Sequence, residues 1–454
     1  MPFYQRLKNI YHLGAAVLAN IWYSFPTRKM YVIGVTGTNG KTTTVALIAR
    51  VLEEAGYSIA SASTIRFKIG KKEWVNKTKF TTLAPFALGN FLARSVKAGC
   101  QFAVLETSSH ALDQNRTWGT DYDMAVITNV TREHLDYHAN MPQYRAAKQK
   151  LFRAVAFKQG EKLGKPRGIS IVNFDMIDPG EFMLGARDRI FIYKKEKTDK
   201  ETDRSSGKSQ AVIAGSADNA LKSVTLDPNN IIEAKNILLD KGGSKFSVRG
   251  REYTLALPGE FNIENAMAAI AAGSALGIDE AAIHSAIKSV DQIPGRMEYV
   301  TNNRGIKIVI DYALTPDSME KVGSLMSKEA KKKFIWIFGS CGERDRGKRP
   351  IMGRIGARYA DTVIITNEDP YHEDPAVIIE EVFRGVVEEE NKISGSTALK
   401  IPDRRDAIKH ALELASAGDI VLITGKGAEE NMKIGDELIS WNDKQVVEEL
   451  LAEL

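Results

Sequence analysis

After residue 30 the chain alternates short β-branched apolar runs with longer segments whose apolar residues recur at helical spacing, the pattern of a doubly wound parallel sheet. Tyr31–Thr36, Phe102–Glu106, Met124–Thr128 and Ile169–Asn173 read as buried strands. Thr42–Ala55 reads as a helix, because Val45, Ile48, Ala49 and Leu52 fall on one face. A second series starts near Gly295, with strands at Lys307–Asp311, Phe334–Phe338, Thr362–Thr366 and Asp419–Thr424. Turn residues at Ile293–Glu298 separate the two. The expected organisation is an extension over 1–30, a first α/β domain over 31–294 and a second, Rossmann-like α/β domain over 295–454. Lys194–Lys208 carries no apolar side chain and is expected to be an exposed loop.

Leu13–Tyr23 is apolar, yet its eleven residues fall short of the ~20 needed to span a bilayer. Residues 7–25 are expected to form a helix that packs on the first domain or touches the membrane surface peripherally. At 43% hydrophobic and 26% charged, the 454 residues suit a folded multidomain protein and exclude a polytopic membrane chain. The net charge of +5, from 62 basic against 57 acidic side chains, gives no reason to expect nucleic acid. Two distant cysteines, Cys100 and Cys341, make no disulfide framework and suit a reducing cytoplasm.

Candidate chemistry begins at Gly37-Thr38-Asn39-Gly40-Lys41-Thr42-Thr43, between a strand and a helix. Glycines there let backbone N–H groups face phosphate, and the helix N-terminus favours negative charge. Lys41 would reach β- and γ-oxygens and Thr42 would offer its hydroxyl to Mg²⁺. Val35 stands where the common loop pattern has its first glycine. Glu106 ends its strand in LETSSH, the sheet edge at which open parallel sheets bind ligands, and suits the same hard cation.

With ETSSHALDQNR, TNVTREHLDYH, YRAAKQKLF, LPGEFNIENAMAAIAA, GRMEYV, DYALTPDSMEK, GSCGERDRGKRPIMG and GKGAEEN, the loop resembles the Mur ligase family, most closely its MurE branch, from about residue 31 to the C-terminus. The resemblance implies a phosphate-loop central ATPase domain with a parallel sheet, followed by a C-terminal Rossmann-like domain. It also implies the reaction: a substrate carboxylate takes the γ-phosphoryl group of ATP, and an amine then displaces phosphate to form an amide. On matching positions, Lys41 and Thr42 hold the triphosphate and Mg²⁺, Glu106 the first Mg²⁺ and His134 the second. Lys148 matches the lysine that the family carries as a carbamate; by itself it would read as a solvated helix lysine. Asn262 and Asn265 match positions near the adenine, and Arg296 and Asp311 match nucleotide contacts of the C-terminal domain. Thr81, Thr82, Ser108, Gln114 and Arg116 match the hold on a muramoyl-peptide acyl donor, and Glu368, Asp369, Tyr371, Gly425 and Glu429 the hold on a free amino acid.

Three departures shape the expectation. About thirty residues precede the first strand, which suggests that the uridine-diphosphate-binding domain of the MurE branch is missing. Leu314 and Ala428 replace histidines usual in that branch. The acceptor motif Asp-Asn-Pro-Arg of diaminopimelate-adding members reads Glu368-Asp369-Pro370-Tyr371, with no arginine. Four carboxylates in Glu368–Asp374 then favour a basic acceptor such as lysine or ornithine. Competing readings are a poly-γ-glutamate or folylpolyglutamate ligase, and a degenerate nucleotide-binding partner protein.

Overall fold

The computed structural model describes residues 3–78, 80–196, 226–240, 242–390 and 397–454. It divides into two compact units, one of residues 1–130 and 140–291, the other of 131–139 and 292–454. The segment Thr131–Ala139, expected inside the first domain, groups instead with the second unit. The extension before residue 31 groups with the first.

In the first unit the strands are β1 (Tyr31–Thr36), β2 (Ile59–Ala62), β3 (Arg66–Ile69), β4 (Lys72–Val75), β5 (Phe102–Glu106), β6 (Met124–Ile127), β7 (Glu161–Lys162), β8 (Lys165–Pro166), β9 (Ile169–Asn173), β10 (Ile190–Lys195), β11 (Ile231–Asp240), β12 (Gly243–Val248) and β13 (Arg251–Leu255). Eleven of them form one sheet in the order β13-β12-β11-β10-β9-β6-β1-β5-β2-β3-β4, and β7 and β8 form a separate hairpin. The strands from β11 to β2 run parallel, and both margins finish antiparallel. Every residue of β1 is buried, because helices cover both faces of a parallel sheet. The antiparallel margins carry no continuous apolar run and escape a search for buried strands. Lys194 and Lys195 were expected in a loop, but they close β10, where Lys194 pairs with Glu233 and Lys195 with Glu260 and Glu264. The remainder of that predicted loop, 197–208, lies outside the described residues.

Helix Lys41–Glu54 opens at Gly40, and helix Glu260–Ala275, alanine-rich and buried on nearly every side, packs against it. Close approach is possible because Gly273 has no side chain: a Cβ there would lie 3.0 Å from Val51 of helix Lys41–Glu54. The N-terminal helix spans Phe3–Trp22, buries Ala16 and Ala19, and seats Tyr23 on Gly89, where a Cβ would come within 2.6 Å of the ring. Among the described residues no helix is long and apolar enough to cross a membrane.

The second unit holds β14 (Glu298–Val300), β15 (Lys307–Asp311), β16 (Phe334–Phe338), β17 (Thr362–Ile365), β18 (Thr397–Lys400), β19 (Ile420–Thr424), β20 (Asn431–Ile434) and β21 (Glu437–Ser440). Its main sheet has the order β14-β15-β19-β16-β17-β18, parallel apart from β14, and β20 and β21 form a hairpin. Arg404 ties the carboxyl ends of its strands together. It donates to both oxygens of Asp443 at 2.8 Å, to the Thr424 carbonyl at 3.0 Å and to the Asn367 carbonyl at 3.2 Å. Both side chains of this pair are fully buried. Asp443→Ala is therefore expected to cost about 3–5 kcal/mol in urea unfolding, because it strands a buried guanidinium, whereas Arg404→Met with Asp443→Leu should cost less.

Candidate active site

The strand β1 delivers its carboxyl end into a loop built from within. Thr38 N–H donates to the Asn129 carbonyl at 2.9 Å, Asn39 N–H to Asn129 Oδ1 at 2.9 Å, and Thr128 Oγ1 to the Asn39 carbonyl at 2.6 Å. Glycine is required at two points. Gly37 has φ +150°, and a Cβ there would lie 1.8 Å from Thr128 Oγ1. Gly40 has φ +81°, and its Cβ would meet Asn265 Oδ1 at 2.2 Å. Asn265 also accepts from Thr44 Oγ1 at 3.3 Å and donates to Asn262 Oδ1 at 3.1 Å. The two asparagines expected near an adenine thus buttress the loop and the first turn of its helix.

Lys41 Nζ donates to the Thr38 carbonyl at 2.8 Å, so its ammonium is held over the loop. Thr42 Oγ1 donates to Glu106 Oε2 at 2.9 Å. Thr64 donates to the same carboxylate from its N–H, at 2.8 Å, and its hydroxyl, at 3.0 Å. A buried hydroxyl and a buried carboxylate joined in this way are hard oxygen donors, and with phosphate oxygens they would fit Mg²⁺, which usually keeps few protein ligands. Among the described residues no group of three or more His, Cys, Asp or Glu could hold a metal by itself.

Lys148 lies beneath the loop, 1% exposed, donating to the Gly37 carbonyl at 2.7 Å with its nitrogen 4.3 Å from the centre of the Tyr144 ring. Burial, and then the nearby Lys41, push its ammonium well below the ordinary lysine range. It is not the solvated lysine that its helical position suggests. Tyr144 in turn meets Thr38 through its hydroxyl at 3.0 Å.

Further along the same edge Thr82 Oγ1 donates to the Glu106 carbonyl at 2.9 Å and accepts from Ser108 N–H at 2.9 Å, and Thr81 meets Thr64 at 3.1 Å. Ser108 caps helix Ser109–Asp113, and Gln114 follows that helix. Arg116 donates to the Thr82 carbonyl at 2.8 Å beneath the Phe80 ring. The first unit therefore brings Gly37–Thr43, Thr81, Thr82, Glu106, Ser108, Arg116, Lys148, Asn262 and Asn265 to one edge of its sheet. His134 does not join them within this unit. It lies in the segment 131–139 of the second, in a left-handed conformation at φ 57°.

In the second unit the candidates gather where β15, β16, β17 and β19 end, the ligand edge of an open parallel sheet. Asp311 is buried, accepts from Met297 N–H at 2.7 Å, and is pushed up by burial against the pull of Arg296, which stacks 4.5 Å over Tyr312. Glu429 accepts from Tyr312 at 3.1 Å and from Lys426 at 2.5 Å, and Lys426 also reaches Asp369 at 2.9 Å. Glu368, 2% exposed and pushed up by burial, takes the Cys341 thiol at 2.9 Å; its Oε2 has no hydrogen-bond partner among the described residues and faces Gly425, where a Cβ would lie 2.8 Å away. The backbone N–H of Ala428 lies so close to Gly295 that a Cβ there would meet it at 2.1 Å. Lys348 pairs with Glu133 at 3.3 Å and donates to the Leu314 carbonyl at 3.0 Å.

This geometry weakens the charge argument for the acceptor. Of the four carboxylates in Glu368–Asp374, Asp369 is neutralised by Lys426 and Glu373 by Arg346 and Arg349, while Asp374 caps the next helix turn at Ala376. The cations come from elsewhere in the sequence, so two of the four carboxylates are already paired and the run's full charge is not available to select a distal ammonium. Glu373 is held down to about 2, first by hydrogen bonds from Arg349. Its contribution is present above its ordinary value of 4.5 and is lost as pH falls towards about 2. In urea midpoints the advantage of the native protein over Glu373→Gln should shrink across that window.

Thr64, Thr128, Asn129, Tyr144, Tyr312, Cys341, Lys348 and Lys426 complete these clusters and were not singled out by sequence. All but Thr64 lie inside the motif segments quoted above, but each is an ordinary polar residue until the fold brings it in.

Family models match in both parts: the Mur ligase middle domain over residues 35–273, and the Mur ligase glutamate ligase domain over 295–427. The chain belongs to the Mur ligase family. Relatives include the UDP-N-acetylmuramoyl-L-alanyl-D-glutamate–2,6-diaminopimelate ligase of Bacillus cereus, 34% identical over 98% of this chain and 82% of that protein. The UDP-N-acetylmuramyl-tripeptide synthetase of a Roseiflexus species is 36% identical over 97% of this chain and 82% of that one. A solved diaminopimelate ligase of the same name as the first aligns over 93% of this chain and 78% of its own at 29% identity and TM-score 0.55. The Mycobacterium tuberculosis folylpolyglutamate synthase shares the Mur ligase fold at 15% identity, with TM-score 0.63 over 91% of this chain and 92% of its own.

Proposed function

We propose that this Mur ligase is an ATP-dependent, ADP-forming enzyme that joins an amino acid to a muramoyl-peptide acyl donor in peptidoglycan precursor synthesis. The supporting observation is the phosphate loop with the Thr42–Glu106 pair at its mouth and Lys148 buried beneath it. A donor carboxylate oxygen bonds to the γ-phosphorus of ATP as the bond to ADP breaks. The acceptor amine then attacks the acyl carbon, phosphate leaves, and the amine gives up a proton. Lys41 neutralises the charge that spreads onto the transferred group.

Thr42 and Glu106 would hold one Mg²⁺ and His134 the second, to which Lys148 would add oxygens as a carbamate. The metal ions would draw together phosphate oxygens and screen their charge. A buried amine can be modified by CO₂ while its nitrogen keeps one N–H for the Gly37 carbonyl. Arg116, with Thr81, Thr82, Ser108 and Gln114, would hold the donor, because a guanidinium grips a carboxylate in two-pronged fashion. Asn262 and Asn265 would brace the loop against the nucleotide, and Arg296 and Asp311 would contact it.

For the acceptor, Glu368, Asp369, Tyr371, Gly425 and Glu429 would hold the amino acid. Arg344 favours a distal carboxylate, because its guanidinium stacks 5.3 Å over Tyr371 and supplies an arginine at the motif that lacks one. Diaminopimelate, named in several relatives, is then preferred to lysine. The location in this reading is the cytoplasm, with the N-terminal helix in peripheral contact with the membrane.

The test is incubation with Mg-ATP, muramoyl dipeptides on different carriers and a panel of amino acids, with product mass and ADP release as readouts. An amide product with diaminopimelate is expected. In Arg344→Ala the preference over lysine should fall by on the order of tenfold, which equal rates for both acceptors in the native protein would overturn.

A further inference from the structure

The N-terminal helix turns its apolar side outward. Ala16 and Ala19 face the first unit, Asn9 donates to the Asp113 carbonyl at 3.2 Å, and Asn20 donates to the Trp118 carbonyl at 2.7 Å. The opposite face carries Leu7, Ile10, Tyr11, Leu18, Ile21 and Trp22, between 48% and 77% exposed. Their spacing makes one stripe along a helix of about 30 Å. Single exposed apolar residues are ordinary; a continuous stripe of six with two aromatics marks an interaction surface.

Charge decides what covers it. The first 52 residues contain six lysines or arginines and no acid, since Glu53 is the first carboxylate in the chain. The turn after the helix places Arg28 and Lys29 on the surface and lines a cavity of about 580 Å³ with Phe25, Arg28, Trp118, Asp121, Lys162 and Arg167. Lys162 and Arg167 are paired with Asp121 and the fully buried Asp123, while Arg28 stacks over Phe25 at 4.4 Å. These three cations against two carboxylates leave an excess positive charge beside the stripe. A second copy on this face would set the same acid-free, basic segment against itself.

We propose that the outer face of the helix Phe3–Trp22 lies in the interface of an anionic bilayer, with the cavity at its C-terminal end taking a lipid headgroup phosphate. Apolar side chains enter the headgroup boundary, Tyr11 and Trp22 sit where amphipathic rings are favoured, and Lys8, Arg28 and Lys29 meet the negative surface. This deepens the peripheral contact in the functional reading above and rests on it. The helix also anchors the donor edge, since Asp113, which accepts from Asn9, lies three residues before Arg116.

The full-length protein is mixed with vesicles of phosphatidylcholine alone or with phosphatidylglycerol and sedimented. Binding to the anionic vesicles is expected to be at least about tenfold tighter and to weaken as salt rises. Leu18→Glu with Ile21→Glu, both at exposed positions, should lower that binding by tenfold or more, and Arg28→Glu with Lys29→Glu should remove the preference for anionic lipid. Equal binding of both vesicle types, unchanged binding in either variant, or a dimer in sedimentation equilibrium that dissociates in Leu18→Glu would overturn the proposal. ADP release measured without vesicles separates the two readings. A native protein that binds anionic vesicles but makes no product defeats the ligase alone, and a productive protein that ignores vesicles defeats the membrane face alone.

Discussion

Lys41→Ala is expected to lower amino-acid-dependent ADP release by about 10²–10³-fold or more while the fold is retained. The side chain is half-exposed and donates to the Thr38 carbonyl of its own loop, so its removal opens no cavity in the core. The loop's shape rests on Thr128, Asn129 and the two glycines, none of which the substitution touches. In the proposed mechanism, what disappears is a positive charge beside the transferred phosphoryl group, where a transition state spreads negative charge over three oxygens. Turnover and thermal unfolding measured side by side check this. Near-native turnover would take the phosphate loop out of the mechanism, and a matching fall in stability would show a structural lysine.

Lys148→Ala is expected to cost on the order of 100-fold or more in turnover, because a lost ligand should matter at least as much as a lost outer-shell partner. Its distinguishing readouts concern the modification. Native activity should fall in CO₂-free buffer and return with bicarbonate, and the variant should recover in part with formate or acetate, whose oxygens can occupy the space left by the side chain. Mass spectrometry of the native protein under bicarbonate should find the added CO₂ on Lys148. Full activity without CO₂, together with no rescue of the variant, would leave Lys148 as a packing residue that props up Gly37 and Tyr144. The two predictions are separable, since only the second depends on dissolved CO₂.

The local pattern carried more of this protein than its weak overall charge would suggest. Apolar runs such as Tyr31–Thr36 and Phe334–Phe338 are uniformly buried, and a parallel sheet covered on both faces leaves no other place for them. The strand–loop–helix at Gly37–Thr43 was equally legible, because only glycine tolerates the backbone at Gly37 and Gly40 so close to neighbouring atoms. Chain order and spacing determined these features. Tertiary structure alone decided the rest: that Lys148 is buried under the loop, that Asn265 presses on Gly40, and that Thr64 joins Glu106. It also decided that in the acidic run Glu368–Asp374 Asp369 is paired with Lys426 and Glu373 with Arg346 and Arg349, and that the N-terminal helix turns its apolar stripe to solvent. Burial and pairing depend on partners tens to hundreds of residues away, and periodicity, which reports only which residues share a face, is blind to what that face meets.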